Sequence, residues 1–136
     1  MNTDGIGGDD SEVGVAYPHQ DLTHSIIGAA MAVHTELGSG FLEKVYENAL
    51  AVELRECTIQ FKTQVPIPVT YKGQAVGTYF ADMIIAESVL CEIKAIDALS
   101  TVHEGQVLHY LKATGIKVGL LLNFGSRKLH FKRLIR

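Results

Sequence analysis

Two acids and a lysine interrupt apolar segments between residues 81 and 94, where the sequence reads ADMIIAESVLCEIK. Asp82 precedes the run MIIA, and Glu92 and Lys94 come after the run VLC. Ionised side chains are costly in buried strands unless a cation or a proton neutralises them. A Mg²⁺ ion prefers one or two carboxylates, with water and substrate phosphate oxygens as its remaining ligands. Two carboxylates beside a lysine therefore fit a site at which a divalent metal assists phosphodiester hydrolysis.

The turn between the two apolar runs decides whether the two acids meet. Side chains alternate between the faces of a strand, so Glu92 and Lys94 share one face. A two-residue turn at positions 87–88 would place Asp82 on the other face from Glu92. We therefore predict a three-residue turn or a bulge at residues 86–88, which brings Asp82 opposite Glu92. The same spacing also fits a surface hairpin with solvated salt bridges, but the apolar flanks favour the buried site.

The elements that would hold this hairpin follow from apolar periodicity and turn residues. In chain order, the predicted elements are helices over 21–37 and 41–56, strands over 59–65, 67–71 and 75–80, the hairpin 81–95, a helix over 102–113, and strands over 117–124 and 128–135. We expect these segments to supply three antiparallel strands between the second and third helices, and the resulting α-α-β-β-β-α-β-β order is typical of an α/β or α+β protein with a mixed sheet flanked by helices.

Side-chain patterns add detail to three of these elements. Val45, Ala49 and Val52 belong to the apolar stripe that we expect on the buried face of the second helix. Pro66 separates two strands, because proline interrupts a ladder of backbone hydrogen bonds. Thr101 and Glu104 have the spacing of a capping box at the start of the third helix.

The charged residues are distributed unevenly along the chain. Residues 1–17 contain four acids and no base, and we predict that they form a disordered acidic tail before a single domain at 18–136. The net charge is −3, yet the predicted domain has 12 basic and 11 acidic residues, with five of the bases among the last ten residues. This basic end fits weak phosphate contacts, and equally a charged strand edge that resists aggregation.

The sequence has no segment typical of a membrane protein, a secreted protein or a nucleotide-cofactor site. No apolar run approaches the roughly 18–20 residues of a membrane span, and the first residues lack the order of a secretory signal. Cys57 and Cys91 lie in apolar contexts, and we interpret them as core thiols in a reducing compartment. We therefore expect a cytoplasmic protein without an organic cofactor or a membrane partner.

Gly40, Glu43 and Tyr46 form the pattern G-x-x-E-x-x-Y within GSGFLEKVYENAL. Together with QVPIPVTYKGQ, ADMIIAESVLCEIKA, HEGQVLHYLKATG and VGLLLNFGS in this order, the pattern resembles the GxxExxY proteins over residues 22–134. These proteins are a small bacterial and archaeal group within the PD-(D/E)XK nuclease superfamily. The resemblance implies a restriction-endonuclease-like core and a divalent metal, Mg²⁺ or Mn²⁺, at the hairpin.

The resemblance also implies roles for individual residues of the hairpin and the second helix. Asp82 and Glu92 would be metal ligands, Lys94 would be the catalytic lysine, and Glu43 would be an accessory acid near the metal. Glu43 also fits a residue that stabilises the first turn of its helix. Phe80 is a departure from the family, because relatives often carry an arginine just before the Ala-Asp pair, and that charge could contact a phosphate.

Gln106 and Tyr110 match the Q-x-x-x-Y motif of RecB-like nucleases, and their spacing of four places them on one helical face. They would hold a substrate phosphate or the metal-bound water, and the alternative is a polar row that faces solvent. The implied activity is metal-dependent hydrolysis of DNA, and with one site per chain, cutting a duplex would call for a homodimer or another partner. A second hypothesis is a nuclease-fold module that binds nucleic acid or a protein partner without catalysis.

Overall fold

The computed structural model describes residues 17–136, and its elements follow the predicted α-α-β-β-β-α-β-β order. These elements are α1 (Gln20–Leu37), α2 (Glu43–Glu56), β1 (Phe61–Tyr71), β2 (Gln74–Ile85), β3 (Val89–Lys94), α3 (Thr101–Thr114), β4 (Val118–Asn123) and β5 (His130–Ile135). The predicted acidic tail lies outside the described residues, except for Tyr17. The ring of Tyr17 packs against the Arg133 guanidinium group, 4.5 Å from the ring centroid, so the ordered packing includes this residue.

The strands of the described chain form one mixed sheet in the order β1-β2-β3-β4-β5. β1, β2 and β3 are antiparallel neighbours, β3 and β4 pair in parallel, and β4 and β5 pair antiparallel. α3 supplies the crossover that parallel neighbours require. The predicted mixed sheet is therefore confirmed, and the parallel pairing places the C-terminal ends of β3 and β4 at the same edge of the sheet.

Helices cover both faces of this sheet. α1 and α2 pack on one face over a core that includes Met83 and Leu120, and α3 packs on the other face over Leu121. Gly119 lets α3 approach β4 closely, because a Cβ at this position would lie 2.6 Å from Cγ1 of Val107. The sheet and its α3 layer thus form a close-packed support for the ends of β2 and β3.

β1 continues through Pro66, so the predicted break between two strands is wrong. β1 is the outermost strand of the sheet, and an edge strand tolerates a missing N–H because one side of its backbone has no ladder partner. Pro66 pairs with Phe80. β1 and β2 form a hairpin, and their pairing extends much farther along β2 than the pairing of β2 with β3. Residues 74–80 of this hairpin are exposed.

The buried face of α2 also differs from the predicted stripe. Val45 and Val52 are exposed, whereas Tyr46 and Leu54 are fully buried. The tyrosine and leucine remove more apolar area from water than the two valines, which favours turning their face of the helix toward the sheet. The same rotation buries Glu47, which follows Tyr46 directly.

The start of α3 differs from the predicted capping box by one residue. Ser100 is the N-cap residue, and its backbone amide donates a hydrogen bond to Nδ1 of His103 at 3.1 Å. The pair Ser100–His103 therefore replaces the predicted pair Thr101–Glu104, since the chain enters the helix one position earlier. The helix then ends at Gly115, whose left-handed φ of 78° suits glycine.

The two cysteines occupy different environments. Cys57 is exposed at the end of α2, so its prediction as a core thiol is wrong, while Cys91 is buried in β3. Burial raises the pKa of the Cys91 thiol, which therefore stays protonated at neutral pH. No helix within residues 17–136 is long and apolar enough to span a membrane.

Candidate active site

The hairpin of β2 and β3 has the register predicted from the sequence. The regular pairing ends at Met83–Cys91, and the three residues 86–88 form the turn. Two of these turn residues have left-handed φ values of 51° and 55°, as a tight hairpin turn requires. The next position along the two strands places Asp82 opposite Glu92, which confirms the predicted juxtaposition.

At this position, hydrogen bonds from backbone amides to the two carboxylates replace the backbone-to-backbone hydrogen bonds of the sheet. The Asp82 amide donates a hydrogen bond to Oε2 of Glu92 at 2.8 Å, and the Ile93 amide donates to Oδ2 of Asp82 at 2.8 Å. Each acid is thus held by the backbone of the opposite strand, in the gap where β2 and β3 separate. One oxygen of each carboxylate makes these bonds, which leaves Oδ1 of Asp82 and Oε1 of Glu92 for other partners.

β2 also reverses its faces at Asp82. Met83 packs in the core beneath α1 and α2, whereas Ala81 packs beneath α3. Residues two apart share a face in a regular strand, so Asp82 is the point of the reversal. Gln64, which lies opposite Asp82 in β1, has a left-handed φ of 49°. Such strained backbone conformations cluster at functional sites.

A cavity of about 510 Å³ lies between this irregularity and the N-terminal end of α2. Its polar lining consists of Glu43, Lys44, Glu47, Gln64 and Asp82. Glu47 accepts hydrogen bonds from Nζ of Lys44 at 3.1 Å and from Nε2 of Gln64 at 3.0 Å. Nε2 of Gln64 also donates to Oδ1 of Asp82 at 3.3 Å, so one amide connects the buried Glu47 to a predicted metal ligand.

The electrostatics of Glu92 follow from its burial and its neighbours. Burial, and then the charge of Asp82, raises the pKa of Glu92 to about 8. The Asp82 amide and the Lys94 ammonium group act in the opposite direction, and Glu43 adds to the rise. In the protein alone, Glu92 therefore holds a proton at neutral pH. A divalent cation is the other charge that can neutralise this pair of acids.

Lys94 lies two residues beyond Glu92 on β3 and is half buried. It forms no ion pair within the described part of the chain, so its ammonium group is available to a substrate or a water. The backbone beyond Lys94 is fixed by Asn123, whose buried amide binds both the N–H and the C=O of Ile96 at 3.1 and 3.0 Å. The Phe124 amide donates to the Lys94 carbonyl at 2.8 Å, which completes this anchor.

The two residues of the Q-x-x-x-Y motif lie on α3, above the same end of the sheet. Tyr110 is buried, and its ring centroid lies 5.9 Å from that of Tyr79. Burial, and then the charge of Glu92, raises the pKa of Tyr110 to about 12, so its phenol remains a hydrogen-bond donor. Gln106 is half buried one turn earlier. The solvent-facing alternative therefore does not hold for Tyr110.

Of the G-x-x-E-x-x-Y residues, Glu43 lines the cavity and Tyr46 packs in the core. Glu43 is the first residue of α2, is exposed and lines the cavity. Tyr46 is fully buried, and its hydroxyl donates to the Gly38 carbonyl at 2.6 Å and accepts from the Phe41 amide at 3.2 Å. Tyr46 thus ties the loop between α1 and α2 to the helix that carries Glu43.

The acids fit a divalent metal as a pair rather than as a group of three. Within residues 17–136, no three His, Cys, Asp or Glu side chains are close enough together to hold a metal ion. Glu43 therefore forms no group of three with Asp82 and Glu92, and its place as an accessory acid near the metal stays a prediction. Two carboxylates still satisfy Mg²⁺ or Mn²⁺, since such hard cations take their other oxygens from water and substrate. The raised pKa of Glu92 supports this fit, because burial and then the charge of Asp82 disfavour its ionised form, and a bound cation would favour that form.

Sequence reasoning missed Glu47, Gln64 and Asn123. Glu47 was missed because the wrong face of α2 was assigned to the core, although its spacing of four from Glu43 places both on one side of the helix. Gln64 lies in a segment that has the pattern of an ordinary edge strand, and nothing in that pattern indicates its left-handed backbone. Asn123 is the last residue of an apolar strand. Its buried amide binds the backbone of Ile96 in another segment, and such a contact leaves no periodic pattern in the sequence.

Comparison with known proteins agrees with this geometry. The family model described as the PD-(D/E)XK nuclease superfamily matches residues 20–134. This range includes every helix and nearly all of every strand described above. Comparison with curated proteins gave no match, and comparison with solved structures gave none either.

Proposed function

The chain belongs to the PD-(D/E)XK nuclease superfamily, and from this membership we propose that it hydrolyses phosphodiester bonds in DNA with the help of Mg²⁺ or Mn²⁺. The observation that carries the proposal is a pair of backbone-to-carboxylate hydrogen bonds, from the Asp82 amide to Glu92 and from the Ile93 amide to Asp82, which fixes two acids side by side in a gap of the sheet. The G-x-x-E-x-x-Y segment supports the narrower assignment to the GxxExxY proteins.

Asp82 and Glu92 would hold the metal through the oxygens that face away from their backbone partners. When bound, the metal stabilises charge on the phosphoryl group and lowers the pKa of a water. Gln64 keeps Asp82 in position, because its amide donates to Oδ1 from the side of α2. Glu43 lies at the mouth of the same cavity, where it can bind a water of the metal environment.

Lys94 and Tyr110 supply the groups that donate hydrogen bonds to the attacking water and to the substrate phosphate. The Lys94 ammonium group orients the attacking water through a hydrogen bond, and its positive charge favours the approach of a phosphate. Tyr110 keeps its phenolic proton, because its pKa is raised to about 12, and donates a hydrogen bond to a phosphate oxygen. Gln106, one turn earlier on α3, would add a second neutral donor.

A second candidate is a module that binds nucleic acid or a protein partner without catalysis. One observation favours it, the balance of 12 basic to 11 acidic residues within residues 17–136, which leaves little positive charge for a DNA backbone. The buried position of Glu92 favours the enzyme. An acid in that environment is costly, and a binding surface gives no reason for it.

Cleavage of end-labelled DNA with Mg²⁺, with Mn²⁺ and with EDTA tests the proposal. We expect metal-dependent cleavage by the parent protein and none by Glu92→Gln or Asp82→Asn. Lys94→Ala should lower the rate by about 100-fold or more, whereas the exposed control Lys112→Ala should cut like the parent.

Calorimetric titration with Mn²⁺ then separates the two candidates. Lys94→Ala should bind Mn²⁺ like the parent protein, and Asp82→Asn should give no heat. Equal heats from the parent and Asp82→Asn, together with no cleavage of any DNA, would establish the binding module instead.

A further inference from the structure

The rim of the candidate active site is apolar where α1 connects to α2. Phe41 and Leu42 line the cavity that contains Asp82, and they are 47% and 80% exposed. Both side chains therefore present apolar surface to solvent at the cavity that Asp82 also lines. Exposed apolar groups at the mouth of a polar cavity are typical of a surface that contacts a ligand.

Leu42 occupies a position at which its side chain gives no structural benefit. It is the N-cap residue of α2, where Ser, Thr, Asp or Asn would accept a hydrogen bond from the helix. No side-chain hydrogen bond caps this helix. A mostly exposed leucine thus stands where a short polar residue would stabilise the protein. Contact with a ligand would account for this choice.

Phe41 is held in a fixed orientation while its ring remains accessible. It precedes the N-cap and packs edge-on against Tyr46, with ring centroids 6.1 Å apart and an interplanar angle of 75°. This contact is a hydrophobic staple, which fixes the entry of the chain into the helix. A fixed ring loses little conformational entropy when a flat ligand stacks on it.

Phe80 adds a second exposed ring on the same side of the sheet. Tyr79 lies against Tyr110 of α3, and Ala81 packs beneath α3, so both face that helix. Side chains alternate along a strand, so Phe80 faces the side on which α2 lies. Phe80 is 53% exposed and is only two residues from Asp82.

Cations are scarce at the same mouth. Lys44 is the one base among the residues lining the cavity, and it is paired with Glu47 at 3.1 Å. Glu43 and Asp82 line the cavity as well, so acids outnumber bases there. Proteins bind the outside of a duplex mainly through Lys and Arg contacts to phosphates. Single strands also contact cationic grooves, but their unpaired bases in addition expose flat faces that stack on aromatic side chains, which a duplex does not offer.

We propose that Phe41, Leu42 and Phe80 form a base-binding rim that selects single-stranded DNA for the adjacent acid pair. The inference rests on the proposed nuclease function and specifies its substrate. An unpaired base stacks on Phe41 against Leu42, and a neighbouring base contacts Phe80, so that the linking phosphate lies toward Asp82. A single site on one chain then suffices, because only one strand is cut.

Binding can be measured without cleavage in EDTA, by means of Phe41→Trp. The chain contains no tryptophan, so this variant carries a single fluorescent reporter on the rim. We expect a thymidine oligonucleotide to quench the emission, and a duplex of equal length to bind at least about tenfold more weakly. Equal quenching and equal affinity for the two DNAs would overturn the proposal.

Leu42→Ser separates a substrate contact from a structural role. Serine is a better N-cap residue, so the variant should have a higher Tm than the parent, yet it should bind single-stranded DNA severalfold more weakly. Tyr71→Ala is the matched control. Tyr71 is a more exposed ring, at 64%, and it lies at the far end of the hairpin, about 25 Å from Asp82 along β1 and β2. Unchanged single-strand binding by Leu42→Ser would contradict the proposal.

The outcomes also separate this inference from the proposed activity. Preference for single strands in EDTA without cleavage in Mn²⁺ would support the rim and contradict the nuclease. Equal cleavage of single strands and duplexes would support the nuclease and contradict the rim. A change from dimer to monomer in Leu42→Ser, with DNA binding unaltered, would assign the apolar surface to a second copy and overturn the inference.

Discussion

Replacing Glu92 with glutamine is expected to stabilise the metal-free protein at alkaline pH. In the folded protein, burial and then Asp82 raise the pKa of Glu92 from 4.5 to about 8. Because the folded protein binds this proton more tightly than the unfolded chain, the free energy of unfolding falls as the pH rises from about 4.5 to about 8. The glutamine side chain does not ionise, and its oxygen can still accept the hydrogen bond from the Asp82 amide.

The magnitude follows from the interval between the two pKa values. One pKa unit corresponds to about 1.4 kcal/mol, so complete ionisation of Glu92 destabilises the folded state by up to about 5 kcal/mol. Relaxation of the strands and entry of water into the gap reduce this figure. We expect Glu92→Gln to be more stable than the wild type by about 2–5 kcal/mol at roughly pH 9. At roughly pH 5 the two proteins should differ by less than about 1 kcal/mol.

Urea unfolding in EDTA, followed by circular dichroism at several pH values, measures this difference directly. The control Glu56→Gln changes an exposed glutamate at the end of α2, and its stability should follow that of the wild type at every pH. Parallel pH curves for the wild type and Glu92→Gln would refute the reasoning about the buried acid. Mn²⁺ at about 100 times its Kd should then stabilise the wild type by about 3 kcal/mol, and Glu92→Gln by less.

Three further substitutions test the surroundings of the acid pair. Gln64→Gly removes the hydrogen-bond donor to Asp82, so calorimetry should show Mn²⁺ binding that is weaker by about tenfold or more. Glycine also relieves the strained left-handed backbone at φ 49°, so thermal unfolding should show little loss of stability. Gly125→Ala should destabilise the fold by about 3 kcal/mol or more in urea unfolding, because its Cβ would lie 2.2 Å from a backbone nitrogen. The control Gly28→Ala, in a helix with open space around it, should stabilise by about 0.5–1 kcal/mol. Tyr46→Phe should cost about 1–3 kcal/mol by the same assay, since two backbone groups lose a buried partner.

The element order and the hairpin register could be predicted because each depends on local rules. Alternation along β2 and β3 leaves two choices for Asp82, and the requirement that both acids share a gap selects the three-residue turn that the structure shows. Periodicity likewise located α1, α2 and α3, together with the final strand pair.

The remaining features depend on contacts between distant segments, which local patterns do not contain. The sequence of α2 contains two apolar faces. Packing against the sheet decides which face is buried, and it buries Tyr46 and Leu54 rather than Val45 and Val52. The role of Gln64 arises from a left-handed residue opposite Asp82, and neither feature has a signature in the sequence of β1. Pro66 indicated a break, but its position on an edge strand permits continuity.

The central claim is that Asp82 and Glu92 together bind a divalent metal in the gap between β2 and β3. Crystals grown with Mn²⁺ and measured for anomalous scattering test it most directly. We expect a strong anomalous peak in contact with one oxygen of each acid, near the Lys94 side chain. Density without such a peak, or a peak elsewhere on the protein, would contradict it.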